Sequence, residues 1–194
     1  DQGYATALFG KWHLGNNGVP DEFEDGTWES NLDTIVDHSL HPQLHGYQNF
    51  GGTIHGTLDP DGTGGYTDWL LHRGSYCDDC ESQHTSSATD ETRYATIATT
   101  MEAYNWANRQ SAPWFITMAY HAPHTPLEMP PEICGYGSEW DESEDKAVYA
   151  AMVECLDMEI GEMLAGIPDL DDTVIFFVGD NGTEHHFAED VFDD

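Results

Sequence analysis

The residues best suited to chemistry stand in three short segments. Lys11 and His13 belong to the first, residues 3–15, which read Gly-Tyr-Ala-Thr-Ala-Leu-Phe-Gly-Lys-Trp-His-Leu-Gly. If this segment is extended, side chains two residues apart project to the same side, so an ammonium group and an imidazole face one spot. That pair suits an anionic ligand. The alternative is a strand end that carries a solvated lysine and a capping histidine.

The other two segments offer an imidazole and a pair of oxygen ligands. His124 lies between two prolines in His-Ala-Pro-His-Thr-Pro-Leu, a rigid setting for its ring, although a histidine in such a loop is often structural. Asp180 and Asn181 follow an apolar run and carry the oxygen donors that Ca²⁺ or Mg²⁺ prefers. Asp-Asn-Gly is also a common turn tripeptide. His185 and His186 come next and are further candidates for the same cleft.

The elements around these segments predict an α/β domain. Apolar runs at residues 4–9, 113–120 and 173–178 predict strands, the second buried on both faces. Three- and four-residue spacing predicts helices over 90–109, capped by Asp90, and over 144–165. Residues 16–76 are predicted to be a long surface loop with short pieces of structure. This order predicts a mainly parallel sheet flanked by helices, with ligands bound at the carboxyl ends of its strands.

The charge excludes several classes of partner. The chain has 37 acidic residues against five basic ones, a formal net charge of −32. Nucleic acid and anionic membranes are bound by lysine and arginine, so neither is an expected partner. Self-repulsion of this size is tolerated when salt shortens the Debye length to about 3 Å at 1 M, which favours a saline or marine setting. Acidic bias throughout a lineage is the alternative.

Length and cysteines add weaker constraints. The 194 residues suffice for one domain, and no apolar run reaches the roughly 20 residues of a membrane span. Four cysteines allow three disulfide pairings, and disulfides are expected if the protein is secreted. One pair, Cys77-Asp-Asp-Cys80, could form half a zinc site with nearby histidines, but the second ligand pair is missing. The four are Cys77, Cys80, Cys134 and Cys155.

Taken together, the three segments resemble the sulfatase family. Residues 3–15 match its signature G-Y-x-T-x-x-x-G-K-W-H-L-G at every fixed position. Residues 121–127 resemble its central histidine segment, and Val-Ile-Phe-Phe-Val-Gly-Asp-Asn-Gly at 174–182 resembles its metal-binding strand end. Within residues 121–127, the expected role of His121 is structural, a hydrogen bond at the strand end. Within the family, the central region is similar to the arylsulfatase B type, N-acetylgalactosamine-4-sulfatase. The resemblance implies an alkaline-phosphatase-like fold.

The resemblance also implies a reaction, the calcium-dependent hydrolysis of aryl or carbohydrate sulfate esters. Its nucleophile would be a formylglycine made from a Cys or Ser outside this chain. Lys11 would neutralise developing charge, His124 would contact the sulfate and protonate the leaving oxygen, and His13 would help to restore the aldehyde. Asp180 and Asn181 would supply part of a Ca²⁺ site, or a Mg²⁺ site, completed by carboxylates N-terminal to residue 1.

Departures from the family pattern limit what this stretch can do. The nucleophile signature Cys/Ser-x-Pro-x-Arg is absent, and a second sulfate-binding lysine is expected beyond residue 194. Residues 1–194 would then be the middle of one catalytic domain, inactive alone and, in the whole protein, secreted, periplasmic or in a lysosome-like compartment. Alternatives are a phosphonate or phosphate monoester hydrolase of the alkaline phosphatase superfamily and a noncatalytic acidic calcium-binding protein. The particular sulfate ester and the oligomeric state stay open.

Overall fold

A computed structural model describes residues 3–14, 42–56, 58, 64–76, 84–111, 113–135, 144–167 and 170–183. Within these ranges, one five-stranded sheet carries helices α1 and α2, and three short 3-10 turns connect other elements. The elements are β1 (Ala5–Lys11), β2 (Asn49–Thr53), β3 (Trp69–Tyr76), β4 (His84–Glu91), α1 (Ala95–Ala107), β5 (Trp114–Ala119) and α2 (Asp145–Gly166). The 3-10 turns are Pro42–His45, Glu132–Cys134 and Leu170–Asp172.

The strand order is β4-β3-β2-β1-β5. β1 lies between β2 and β5 and is parallel to both, whereas β3 is antiparallel to β2 and to β4. Among these strands, β1, β2, β4 and β5 therefore run in one direction and β3 runs in the other. The predicted α/β class with a mainly parallel sheet is confirmed. The carboxyl ends of β1, β2 and β5 lie side by side.

Two glycines let the backbones crowd together at that edge. A Cβ atom on Gly52 in β2 would lie 1.8 Å from the main-chain oxygen of Gly10 in β1. Gly10 itself has φ 107°, and a Cβ atom there would lie 1.9 Å from the oxygen of Ala119 in β5. Only glycine accepts both the left-handed backbone and the contact. The residue before Lys11 therefore fixes how closely three strands approach at the carboxyl edge.

The helices cover the sheet through two apolar clusters. One joins β1 to both helices through Phe9, Trp106 and Met163, and the other surrounds Tyr66 and Met152. The Cys134–Cys155 disulfide lies in the second cluster and ties the Glu132–Cys134 turn to α2. It selects one of the three possible pairings, while Cys77 and Cys80 lie outside the described residues. None of the helices in the described part of the chain is long and apolar enough to cross a membrane.

The structure around the antiparallel strands corrects two details of the prediction. Residues 16–76 do contain short pieces of structure, but two of them are strands of the central sheet: residues 49–53 pair with β1, and residues 69–76 pair with β2 and β4. Asp90 does not cap a helix: it lies in β4 opposite Leu70, and α1 begins at Ala95 without a side-chain cap. Pairing with partners distant in sequence overrides the local turn and capping signals.

The two later apolar runs are less buried than predicted. β5 forms as expected, but it is an edge strand of the described sheet, and Phe115 is 52% exposed, so burial on both faces is wrong. Residues 173–178 belong to no strand among the described residues, and Phe176 is 85% exposed. An apolar pattern favours a strand, but the strand itself requires a hydrogen-bonding neighbour that the pattern cannot supply.

Candidate active site

Lys11 brings the first and third segments together. It is the last residue of β1 and lies opposite Thr53 of β2. Its side chain is partly buried, which lowers the pKa of its ammonium group, and the carboxylate of Asp180 partly opposes that change. The two side chains are thus close enough to interact electrostatically. The first and third segments therefore lie near each other.

His121 follows β5 and is bonded to the end of β2. Its Nε2 atom lies 2.7 Å from the hydroxyl oxygen of Thr53, which also donates to the oxygen of His55 at 3.3 Å. Because that hydroxyl has one proton and gives it to His55, the bond to His121 is donated by Nε2. Burial, followed by the charges of Lys11 and His124, lowers the pKa of His121 to about 3. The structural role of a hydrogen bond at the strand end is confirmed.

His121 should make folding stability depend on pH. Its pKa is about 3 in the folded protein and roughly 6.5 when unfolded. The unfolded chain therefore binds the extra proton, and the stabilisation is complete above about pH 6.5 and is lost as the pH falls toward 3, at about 1 kcal/mol per pH unit. In urea unfolding of the complete protein at pH 7 and pH 5, wild type should lose more stability than His121→Gln. Equal losses would contradict a buried neutral imidazole.

His124 is exposed and its ring is oriented by its own loop. Its main-chain N–H donates to the oxygen of His121 at 2.8 Å, and its Nδ1 atom lies 2.7 Å from the oxygen of Thr125. A carbonyl oxygen only accepts, so Nδ1 carries a proton. The atom left to gain or release a proton is Nε2. Lys11 of the first segment and this ring both contribute to the lowered pKa of His121, which places the second segment near the first.

The His124 loop is anchored to residues that the sequence analysis did not single out. The Glu128 carboxylate accepts the main-chain N–H of Tyr66 at 2.6 Å and the N–H and hydroxyl of Thr67. The hydroxyl of Tyr66 donates to the oxygen of His124 at 2.9 Å. These partners are about sixty residues apart in the chain, and no local motif marks them. The anchoring becomes visible only when the turn before β3 is placed against the loop.

His13 is arranged differently from the prediction. β1 ends at Lys11, and His13 has φ 57°, so the extended geometry that was to align the two side chains does not continue. The exposed ring of His13 lies over Gly56, where a Cβ atom would be 2.3 Å from Nε2. A side chain at position 56 would thus collide with the ring. The shared orientation of Lys11 and His13 was the wrong reason for grouping them.

Asp180 and Asn181 are both exposed at this edge. They supply hard oxygen donors, which fit Ca²⁺ or Mg²⁺ by type, but Ca²⁺ takes about six to eight such ligands. The described residues contain no group of three or more His, Cys, Asp or Glu side chains placed to hold a metal ion. By donor type, the pair fits part of such a site. His185 and His186 also lie outside them.

Comparison with known proteins identifies the family of this chain. The sulfatase family profile matches residues 1–190. The chain belongs to the sulfatase family. Among individual proteins, the uncharacterized sulfatase YdeN of Escherichia coli (strain K12) is 27% identical over 190 residues, which cover 94% of this chain and 31% of YdeN.

A solved structure supports the fold of this sulfatase chain. The crystal structure of Ps i-CgsB in complex with k-i-k-neocarrahexaose superposes with a TM-score of 0.52 and 24% sequence identity. The match covers 84% of the chain and 33% of Ps i-CgsB. The sulfatase chain thus spans about a third of the length of each of these relatives.

The few basic residues of this sulfatase are unevenly placed. Of the five, Arg73 bonds to Glu102 through two nitrogens, and Arg93 is paired with Glu91 and Glu102. Their charges are compensated locally, and hydrogen bonding to Arg93 lowers the pKa of Glu91 to about 2. Lys11 lies at the carboxyl edge of the sheet, where it interacts with Asp180 and with His121. At a net charge of −32, an anion can bind only where local cations reverse the field.

Proposed function

We propose that the complete protein hydrolyses sulfate monoesters of aromatic or carbohydrate alcohols. The observation that supports this proposal is that Lys11, at the end of β1, interacts electrostatically with Asp180 and with His121 of the His124 loop, in a member of the sulfatase family. A cation, a proton donor and a hard-metal ligand together suit an ester that bears negative charge and leaves as an alkoxide. No described residue is assigned as the nucleophile.

Two side chains act directly on the ester in this proposal. The Lys11 ammonium pairs with sulfate oxygens, where its partial burial strengthens the attraction because less water screens it. In its doubly protonated form, His124 donates from Nε2 to the ester and transfers that proton to the departing oxygen. The ring is left as the neutral Nδ1–H form, still bonded to Thr125. The assignment of His13 to the catalytic set stays a prediction, and its exposed ring beside Gly56 leaves it accessible.

A metal ion and a formylglycine, neither of which is among the described residues, complete the proposal. Asp180 and Asn181 would hold Ca²⁺, with Mg²⁺ as the alternative, and the bound ion supplies polarisation of the sulfate oxygens. A formylglycine formed from a Cys or Ser outside this chain supplies the nucleophilic hydroxyl. Asp180 has a second role that needs neither group, because its carboxylate favours the charged form of Lys11.

The proposed compartment is extracytoplasmic: secreted, periplasmic or lysosome-like. The Cys134–Cys155 disulfide supports this proposal, because disulfides persist mainly in oxidising compartments. The net charge of −32 favours a saline surrounding, in which self-repulsion is screened.

The test is an assay of the complete protein, co-expressed with a formylglycine-generating enzyme and checked by mass spectrometry for the aldehyde. Release of sulfate from nitrophenyl sulfate and from a sulfated polysaccharide is compared with release of phosphate from nitrophenyl phosphate. We expect sulfate release that falls at least tenfold on chelation and returns with Ca²⁺. Phosphate release alone would favour the phosphatase alternative. Calcium binding without release of either anion would favour the binding protein.

A further inference from the structure

Tyr66 is a fully buried residue that is hydrogen-bonded to the His124 loop. It is 0% exposed, and its hydroxyl donates to the main-chain oxygen of His124 at 2.9 Å. Its ring stacks on that of Tyr94, with centroids 5.1 Å apart and planes at 27°. Burial raises the pKa of both phenols, so each keeps its proton and acts as a donor. The Tyr94 hydroxyl donates to the main-chain oxygen of Glu128 at 3.0 Å.

We propose that Tyr66 is a positioning residue that orients the imidazole of His124. Its bond to the His124 oxygen holds the peptide plane that joins His124 to Thr125. The next peptide unit carries the Thr125 oxygen, which accepts the hydrogen bond from Nδ1 of His124. By holding the first of these two units, the phenol stabilises the placement of that acceptor, and with it the Nδ1–H form and the direction of Nε2.

The backbone of Tyr66 is itself held firmly, which a positioning residue requires. Its N–H donates to the Glu128 carboxylate at 2.6 Å, and its oxygen accepts from the N–H of Ala95 at 2.8 Å, at the first residue of α1. The side chain thus reaches the His124 loop from a turn that is bonded both to that loop and to a helix. A reference point fixed by the core orients an exposed catalytic ring more precisely than the loop could do alone.

The experiment compares Tyr66→Phe with the matched variant Tyr94→Phe in the complete protein. Each substitution keeps the stacked ring and removes one buried hydroxyl bonded to a main-chain oxygen of the same loop. Similar decreases in Tm are expected. This inference rests on the proposed role of His124 as acid, so activity is measured on nitrophenyl sulfate, whose leaving group needs little protonation, and on a carbohydrate sulfate, whose leaving group needs it.

For Tyr66→Phe we expect kcat on the carbohydrate sulfate to fall about tenfold or more, with a change of less than threefold on nitrophenyl sulfate. Tyr94→Phe should change both by less than twofold. Equal effects of the two variants, or equal losses of Tyr66→Phe on the two esters, would overturn the proposal and leave the sulfatase function standing.

A second readout does not depend on turnover. With ¹⁵N-labelled imidazoles, NMR reports which nitrogen of His124 is protonated, and the His124→Gln variant identifies its signals. Wild type should show the Nδ1–H form, Tyr94→Phe should match it, and Tyr66→Phe should shift toward a mixture of tautomers. An unchanged tautomer in Tyr66→Phe would refute the positioning role. If wild type releases no sulfate, this measurement still decides the inference separately from the proposed function.

Discussion

Replacing Lys11 with alanine should lower kcat/KM for sulfate esters by about 10²–10³-fold. The ammonium group ends β1 beside Asp180, and its partial burial shields it from solvent. Charge that develops on the sulfate oxygens would then be left without this cation in a protein of net charge −32. The measurement is steady-state sulfate release by the complete protein at several ester concentrations.

The matched control is Lys146→Ala. It removes the same charge from an exposed lysine in the first turn of α2 and should leave kcat/KM within twofold. Lys11→Arg keeps the charge but replaces a point charge by a planar fork, so an intermediate loss is expected. If Lys11→Ala and Lys146→Ala have equal effects, only overall charge matters and Lys11 does not bind the ester.

Replacing His124 with glutamine should have an effect that depends on the leaving group. The amide can still donate a hydrogen bond, but it cannot transfer a proton. We expect kcat to fall about 10²–10⁴-fold for a carbohydrate sulfate and about tenfold for nitrophenyl sulfate, whose phenolate leaves without full protonation. The measurement is kcat for a series of aryl sulfates whose leaving groups differ in pKa. In His124→Gln, kcat should depend more steeply on leaving-group pKa than in wild type.

His45→Gln is the control for that change. His45 is exposed at the end of the Pro42–His45 turn and its ring contacts Trp12, so the same chemical replacement is made at a histidine that is not the proposed acid. It should leave the leaving-group dependence unchanged. Uniform losses across the aryl series in His124→Gln would show that His124 binds the sulfate without acting as an acid.

The local sequence determined the chemistry and the order of the elements around it. The apolar run at residues 4–9 predicted β1, and strands alternating with helices predicted the α/β class. Both inferences use information carried by neighbouring residues: hydrophobic period, a glycine that permits φ 107°, and prolines around His124. The family match over residues 1–190 agrees with the three quoted segments.

Only the tertiary structure decided which segments pair as strands. β2 and β3 lie where a loop was predicted, since their partners are distant in sequence and a weakly periodic strand is stabilised by its neighbours. Residues 173–178 show the converse, an apolar run that lies outside the strands of the described sheet. The local hydrophobic pattern indicates a preference for strand structure. A strand forms only when a neighbouring backbone accepts and donates its hydrogen bonds.

The residues that hydrogen-bond to the candidate site were likewise identified only from the tertiary structure. Sequence spacing identified His124 as a candidate but not Tyr66, which is 58 residues away and bonds to its oxygen. It identified His121 as a structural histidine but not its partner Thr53, 68 residues away. The residues that do chemistry are recognisable by type and local motif, because their reactivity belongs to the side chain. The residues that orient these side chains carry no distinctive local motif, and only their position in the fold gives them that role.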